Sequence, residues 1–146
     1  MQYVAKSGGS EEPVDSLAEL DSWLERLTSG AIGEFWLVQR KGTMQGIERW
    51  VYRLLGLATD VTGSAVHILS DQGKAAIVFL DQDYNEYRVR NHEAATEGTV
   101  LFNTDEGDAE GVAAGECVPI GQAVEAVRYF FKRGRRPSWL QYRKVS

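Results

Sequence analysis

Cysteine occurs once in these 146 residues, histidine twice and proline three times. The lone Cys117 has no partner for an internal disulfide. With no CxxC or Cys/His pair beside it, neither an oxidising compartment nor a structural zinc site is indicated, and it reads as a small core residue. No apolar run approaches the roughly 20 residues needed to cross a bilayer, and the start, MQYVAKSGGSEEP, lacks the apolar centre of a secretory signal. The expectation is a soluble, cytoplasmic protein. At this length, with 43% hydrophobic residues, it should bury one core in one domain.

Groups that carry chemistry are equally sparse. His67 falls mid-strand in AVHILS, where alternation makes it an interior or a solvent-facing strand residue, and His92 falls in a turn. No glycine-rich stretch has the phosphate-binding pattern: GTMQG lacks the lysine and hydroxyl residue, and the glycines of EGDAEG sit among acids that repel phosphate. DQDYNE places Asp81, Asp83 and Glu86 beside Tyr84 and leaves three readings open: a hard-cation site or acid/base pair, a solvated hairpin turn, or a face turned toward a basic protein. An EF-hand loop needs glycine and glutamate where Glu86 and His92 stand, so the turn is preferred over the metal site.

Periodicity supplies the architecture. Residues 1–13 have the Gly/Ser/Glu/Pro composition of a flexible lead-in to a domain over 14–146. In VDSLAELDSWLERLTSG, Leu17, Leu20, Leu24 and Leu27 recur at helical spacing, Asp15 or Ser16 can cap the first turn, and Gly30 follows the end. EFWLVQR reads as a strand and KGTMQG as a turn. Ile47, Trp50, Val51, Leu54, Leu55 and Ala58 make a helical stripe in a β-friendly composition, predicting an inserted helix or, failing that, a strand. SAVHILS, KAAIVFLD, NEYRVRN and GTVLFNT read as an antiparallel meander, and TDEGDAEGVAAGE as an exposed loop. VPIGQAVEAVRYFFKRG is an amphipathic helix with Pro119 near its start and Gly134 as its stop, and PSWLQY an extended closing segment. The sum is an α+β domain: helices on one face of a mostly antiparallel sheet of about five to six strands.

Charge is distributed unevenly. Asp81 to Glu116 holds ten acids against Arg88 and Arg90, whereas Arg128 to Lys144 holds seven bases and no acid. Arg133, Arg135, Arg136 and Arg143 with Trp139 and Tyr142 have the residue types of a nucleic-acid grip. An isoelectric point near 5.1 argues against that use, because such binders gain most of their affinity by neutralising phosphate. Lys132 and Arg133 also sit where a helix terminus favours cations.

The stretch VPIGQAVEAVRYFFKRGRRPSWLQY resembles the C-terminal signature of the first immunity-protein family of bacterial polymorphic toxin systems. That signature is an amphipathic helix ending in phenylalanine, a short basic or glycine turn, Arg-Pro and a closing strand. The matching positions are Ala123, Ala126, Phe130, Phe131, Arg136, Pro137 and Leu140, with Tyr142 where the family closes on tryptophan. Among its members it looks most like those that neutralise cytosine-deaminase toxins acting on DNA. The resemblance implies an antitoxin that catalyses nothing, carries no cofactor or metal of its own, and binds a cognate toxin 1:1 over its active site. A nucleic-acid toxin has a basic cleft that carboxylates can engage. The expected contact residues are therefore Asp81, Asp83, Glu86, Asp105, Glu106 and Asp108, with Tyr84 and Tyr87 as aromatic anchors. The alternative is a small nucleic-acid-binding module using the basic terminus.

Overall fold

The computed structural model describes residues 2–43, 54–55, 60–91 and 97–145. Helix α1, Leu17–Thr28, starts where Ser16 is still extended and its Oγ accepts from the Glu19 amide at 3.2 Å. The Glu19 carboxylate reaches back to the Asp15 amide at 3.1 Å, so side chains meet one donor of the first turn and one just before it. Its apolar stripe, Leu20, Trp23, Leu24 and Leu27, is buried. Helix α2, Ile120–Arg133, buries Ala123, Ala126, Val127 and Phe130. It stops at Gly134, whose φ of 73° is the left-handed turn that a Cβ resists, and whose amide donates to the Phe130 carbonyl. Lys132 and Arg133 occupy the last turn, at the negative end of the helix dipole.

Strands β1 (Gln2–Ser7), β2 (Ser10–Val14), β3 (Glu34–Thr43), β4 (Asp60–Asp71), β5 (Lys74–Leu80) and β6 (Glu86–Arg90) belong to one sheet. Strands β7 (Thr99–Asn103) and β8 (Ala109–Ala113) pair only with each other, and β9 (Cys117–Pro119) and β10 (Gln141–Lys144) rejoin the first sheet. That sheet is eight-stranded, in the order β10-β6-β5-β4-β3-β1-β2, with β9 paired to the start of β5. Every pairing among these strands is antiparallel.

Alternation gives the sheet two unlike faces. Tyr3, Ala5, Phe35, Leu37, Val66, Ile68, Ile77, Phe79 and Val89 join the stripes of α1 and α2 in one core. The other face carries Lys6, Trp36, His67 and Arg88 in register across neighbouring strands. The β7–β8 hairpin covers one end of it, closing Phe102 and Val112 on Leu69, Ala76 and Cys117. Neither helix among the described residues is long and apolar enough to cross a membrane.

A polar node lies within the helix-side core. Gln39 is 3% exposed. Its Nε2 donates to the Gly134 carbonyl at 2.8 Å and to the Tyr3 hydroxyl at 3.4 Å, and its Oε1 accepts from the Ser64 amide at 3.1 Å. The Tyr3 hydroxyl in turn donates to the Phe130 carbonyl at 3.2 Å.

The α+β class, both terminal helices and their shared face agree with the sequence pattern, but the sheet is larger than five to six strands. Strands β1, β2 and β9 add to it while β7 leaves it, and three segments depart from their reading. Residues 1–13, read as a flexible lead-in, contribute the β1–β2 hairpin, because Tyr3, Val4 and Ala5 bury in the sheet between β2 and β3. KGTMQG, read as a turn, continues β3 through Thr43, which pairs with Asp60. TDEGDAEGVAAGE, read as a loop, contains β8, in register with β7 from Thr99↔Ala113 to Asn103↔Ala109. GTVLFNT consequently leaves the meander for the small hairpin, while PSWLQY turns first and becomes strand only from Gln141. The inserted helix expected over Ile47 to Ala58 lies outside the described residues except for Leu54 and Leu55, as does His92.

Replacing Phe130, fully buried against Phe79 and Tyr3, with alanine is expected to cost about 3–5 kcal/mol. Gln39→Leu strands the half-buried Ser64 amide and Gly134 carbonyl and should cost about 1–3 kcal/mol. Urea denaturation followed by circular dichroism measures both.

Candidate functional site

The uncovered part of the second sheet face forms a groove of about 320 Å³. Its floor is Trp36 and Val38 of β3, Ala65 of β4 and Leu80 of β5, and its rim carries Lys6, Asp81 and Tyr84. The floor is apolar because these residues occupy the alternate positions of three adjacent strands; Val38 pairs with Ala65 and Ala65 with Leu80. At the other end of the floor, the Trp36 indole stacks on the His67 imidazole at 4.0 Å and 22°. His67 Nε2 lies 3.0 Å from Glu34 Oε2.

Glu34 links this face to the small hairpin. Its Oε1 accepts from the Asp105 amide at 3.2 Å, and the Asp105 carboxylate accepts from the Gly8 amide at 2.7 Å. The β7–β8 turn is thereby tied to the β1–β2 turn. Asp105, Glu106 and Asp108, all exposed in that turn, stand at the Glu34 end of the face, whereas Asp81, Asp83 and Tyr84 stand at the Val38 end. Four residues of β3 separate the two ends, about 13 Å at the strand rise.

The β5–β6 turn is built on Asp81. Its Oδ1 accepts from the Asp83 and Asn85 amides, each at 2.9 Å, and its Oδ2 from the Asn85 side chain at 3.0 Å. The Asn85 side-chain bond, more than any other influence, holds this carboxyl below its ordinary value, and the two amides and the Arg136 charge act the same way. Tyr84 closes the turn at φ 64°, a left-handed conformation that costs a bulky residue about 1–2 kcal/mol. Its side chain is 77% exposed.

The remaining expected contact residues are differently placed. Tyr87 is half-buried on the helix-side face, with the Arg136 guanidinium 3.7 Å above its ring. Glu86 lies on the groove side of β6, 3.5 Å from Arg88. The basic terminus is partly occupied by structure, while Lys132, Arg133, Arg135 and Lys144 are exposed. Arg136 lies between Tyr87 and Tyr142, at 3.7 and 5.3 Å from the ring centroids, and Arg143 binds Glu116 at 2.7 Å. Burial pushes the Tyr142 hydroxyl far above its usual range, and that hydroxyl donates to the Pro137 carbonyl. Trp139 is half-exposed. Cys117 is buried in the small hairpin's core, and that burial raises its thiol above the ordinary value. Among the described residues, no three or more His, Cys, Asp and Glu side chains gather as a metal site.

Local patterning marks the acidic turns but not the groove floor or the Glu34–His67–Trp36 unit. Those depend on pairing between residues some thirty positions apart, and the alternation of EFWLVQR and SAVHILS is the only local signal.

Asp81 allows a check in solution. Because its carboxyl is held below 3.8 in the fold, its contribution is complete above that value and is lost as pH falls through the lowered one. Thermal melts of wild type and Asp81→Ala should differ at pH 7, with the wild type higher, and the gap should close on acidification below about pH 4.

The family model described as immunity protein Imm1 matches residues 8–144, nearly the whole chain. No curated protein matches the chain at a significant level. The match takes in both helices, the β3–β6 meander, the acidic turns and the closing strand, and it assigns the chain to the Imm1 family of immunity proteins, which bind a cognate toxin.

Proposed function

We propose that this immunity protein neutralises a toxin that deaminates cytosine in nucleic acid, by seating 1:1 over the toxin's active site in the cytoplasm, and that it catalyses nothing itself. The observation that carries this reading is the groove face: an apolar floor bordered at both ends by carboxylates. An enzyme that acts on nucleic acid presents a basic cleft, so Asp83, Asp105, Glu106 and Asp108 would accelerate its encounter and favour one orientation. The apolar floor around Trp36 supplies area that can be desolvated on contact, which charge alone does not.

Of the other expected contact residues, Asp81 serves by holding the turn and Tyr87 by carrying Arg136, while Glu86 borders the groove side. Tyr84 remains the exposed aromatic on the rim. Any zinc in such a complex belongs to the deaminase, where it activates the attacking water.

In a deamination assay with the toxin domain encoded beside this chain, an equimolar amount of the protein should abolish turnover. The association rate should fall by about tenfold or more between 50 and 500 mM salt. Full toxin activity with the protein in excess would end this reading.

A further inference from the structure

Two residues other than glycine hold positive φ among those described, Gln72 at 49° and Tyr84 at 64°. Gln72 is accounted for by its turn. With Gly73 it forms the two-residue connection between Asp71 and Lys74, where both central positions need positive φ to follow the strand twist. The β5–β6 connection likewise asks for positive φ at Tyr84, because the Asp81 amide donates to the Asn85 carbonyl at 3.1 Å around a three-residue loop whose last position is left-handed; what the turn does not account for is a tyrosine there in place of glycine or asparagine. The Tyr84 amide donates to the Asp81 carbonyl at 3.0 Å, closing a turn whose last position is relieved by glycine or asparagine.

Nor does the core account for Tyr84. It is the most exposed of the large hydrophobic side chains among the described residues. A large ring held in solvent at a position where glycine or asparagine would relieve the backbone points to a use outside folding.

The ring's setting indicates what it serves. It stands on the rim of the groove floored by Trp36 and Leu80, so a partner seated there meets it. The Asp81 carboxylate fixes the turn beneath it through three hydrogen bonds, so little freedom is lost when the ring is bound. The exposed Asp83 carboxylate is its immediate neighbour in the chain. A planar ring with an anion one unit away along a backbone has the layout of a nucleotide, base and phosphate.

We propose that Tyr84 is a substrate mimic: its ring enters the slot in which the toxin receives an extruded base, and Asp83 takes the position of the adjoining phosphate. This rests on the functional reading above, that the toxin acts on nucleic acid. Enzymes that modify bases draw the base out of its stack and hold it between apolar and aromatic walls, and a phenol ring fits such walls. It has no ring carbon bearing an amine to displace, so the slot is filled without turnover. Tyr87 cannot take this part, since Arg136 covers its ring.

The test measures binding of the toxin domain encoded beside this chain to Tyr84→Asn, Tyr84→Gly and Tyr84→Phe, and the inhibition pattern against a cytosine-containing single-stranded oligonucleotide. Asparagine and glycine tolerate positive φ, so both variants should melt at or above the wild-type temperature. They should nevertheless bind at least about 100-fold more weakly, while Tyr84→Phe stays within about fivefold. Wild-type inhibition should be competitive with the oligonucleotide. Asn and Gly variants binding within about threefold of wild type, or inhibition independent of oligonucleotide concentration, would overturn the mimic while leaving the immunity function standing. A wild-type protein that neither binds nor inhibits the toxin would overturn both.

Discussion

The carboxamide of Gln39 joins parts of the chain that are distant in sequence. It receives the Ser64 amide from β4 and gives its own protons to the Gly134 carbonyl at the end of α2 and to the Tyr3 hydroxyl of β1. Each group is buried or half-buried, where an unmet donor or acceptor is costly. The node therefore fixes where α2 ends against the sheet. That end determines where the chain turns toward Pro137 and where Arg136 settles between Tyr87 and Tyr142. From there the influence reaches the β5–β6 turn, since the Arg136 charge favours ionised Asp81.

This arrangement divides labour between the two faces of the sheet. One face is committed to the helices and holds most of the large aromatics, with Phe130 in contact with both Tyr3 and Phe79. The other is only partly closed by the small hairpin. Gly111 lies on the exposed side of that hairpin, where a Cβ would come within 3.0 Å of Thr99 Cγ2 and 3.7 Å of Leu101 Cδ2 on β7. The basic and acidic stretches that stand out in the linear charge pattern end up on different duties. Arg128, Arg136 and Arg143 of the basic one are paired or stacked within the fold, and Asp83, Asp105, Glu106 and Asp108 of the acidic one are exposed in turns at the ends of the groove.

Local signals made the helices legible. The leucine stripe of α1 with Ser16 before it, and the alanine/valine/phenylalanine stripe of α2 with Gly134 after it, are properties of a few successive residues. The β1–β2 hairpin was hidden because SGGSEE has the composition of disorder, while the burial of Tyr3, Val4 and Ala5 depends on β3 arriving beside them. In β8, Gly111 reads as a breaker until its cross-strand neighbour Leu101 is known. The acidic turn was visible as a turn, but its left-handed tyrosine was not, because nothing in DQDYNE alone fixes which residue takes positive φ. The pairing of Trp36 with His67 was likewise beyond reach of any window along the chain.

The hydrogen bond from Tyr3 to the Phe130 carbonyl spans 127 positions. A contact of that span cannot form until β1 and α2 have both been synthesised, and folds built on such distant pairings close slowly. Strand β1, which precedes α2 in the chain, waits without that part of its cover until α2 has been made. The groove face, whose strand β3 lies beside β1, thus depends for its finished form on a helix packed against the opposite side of the sheet.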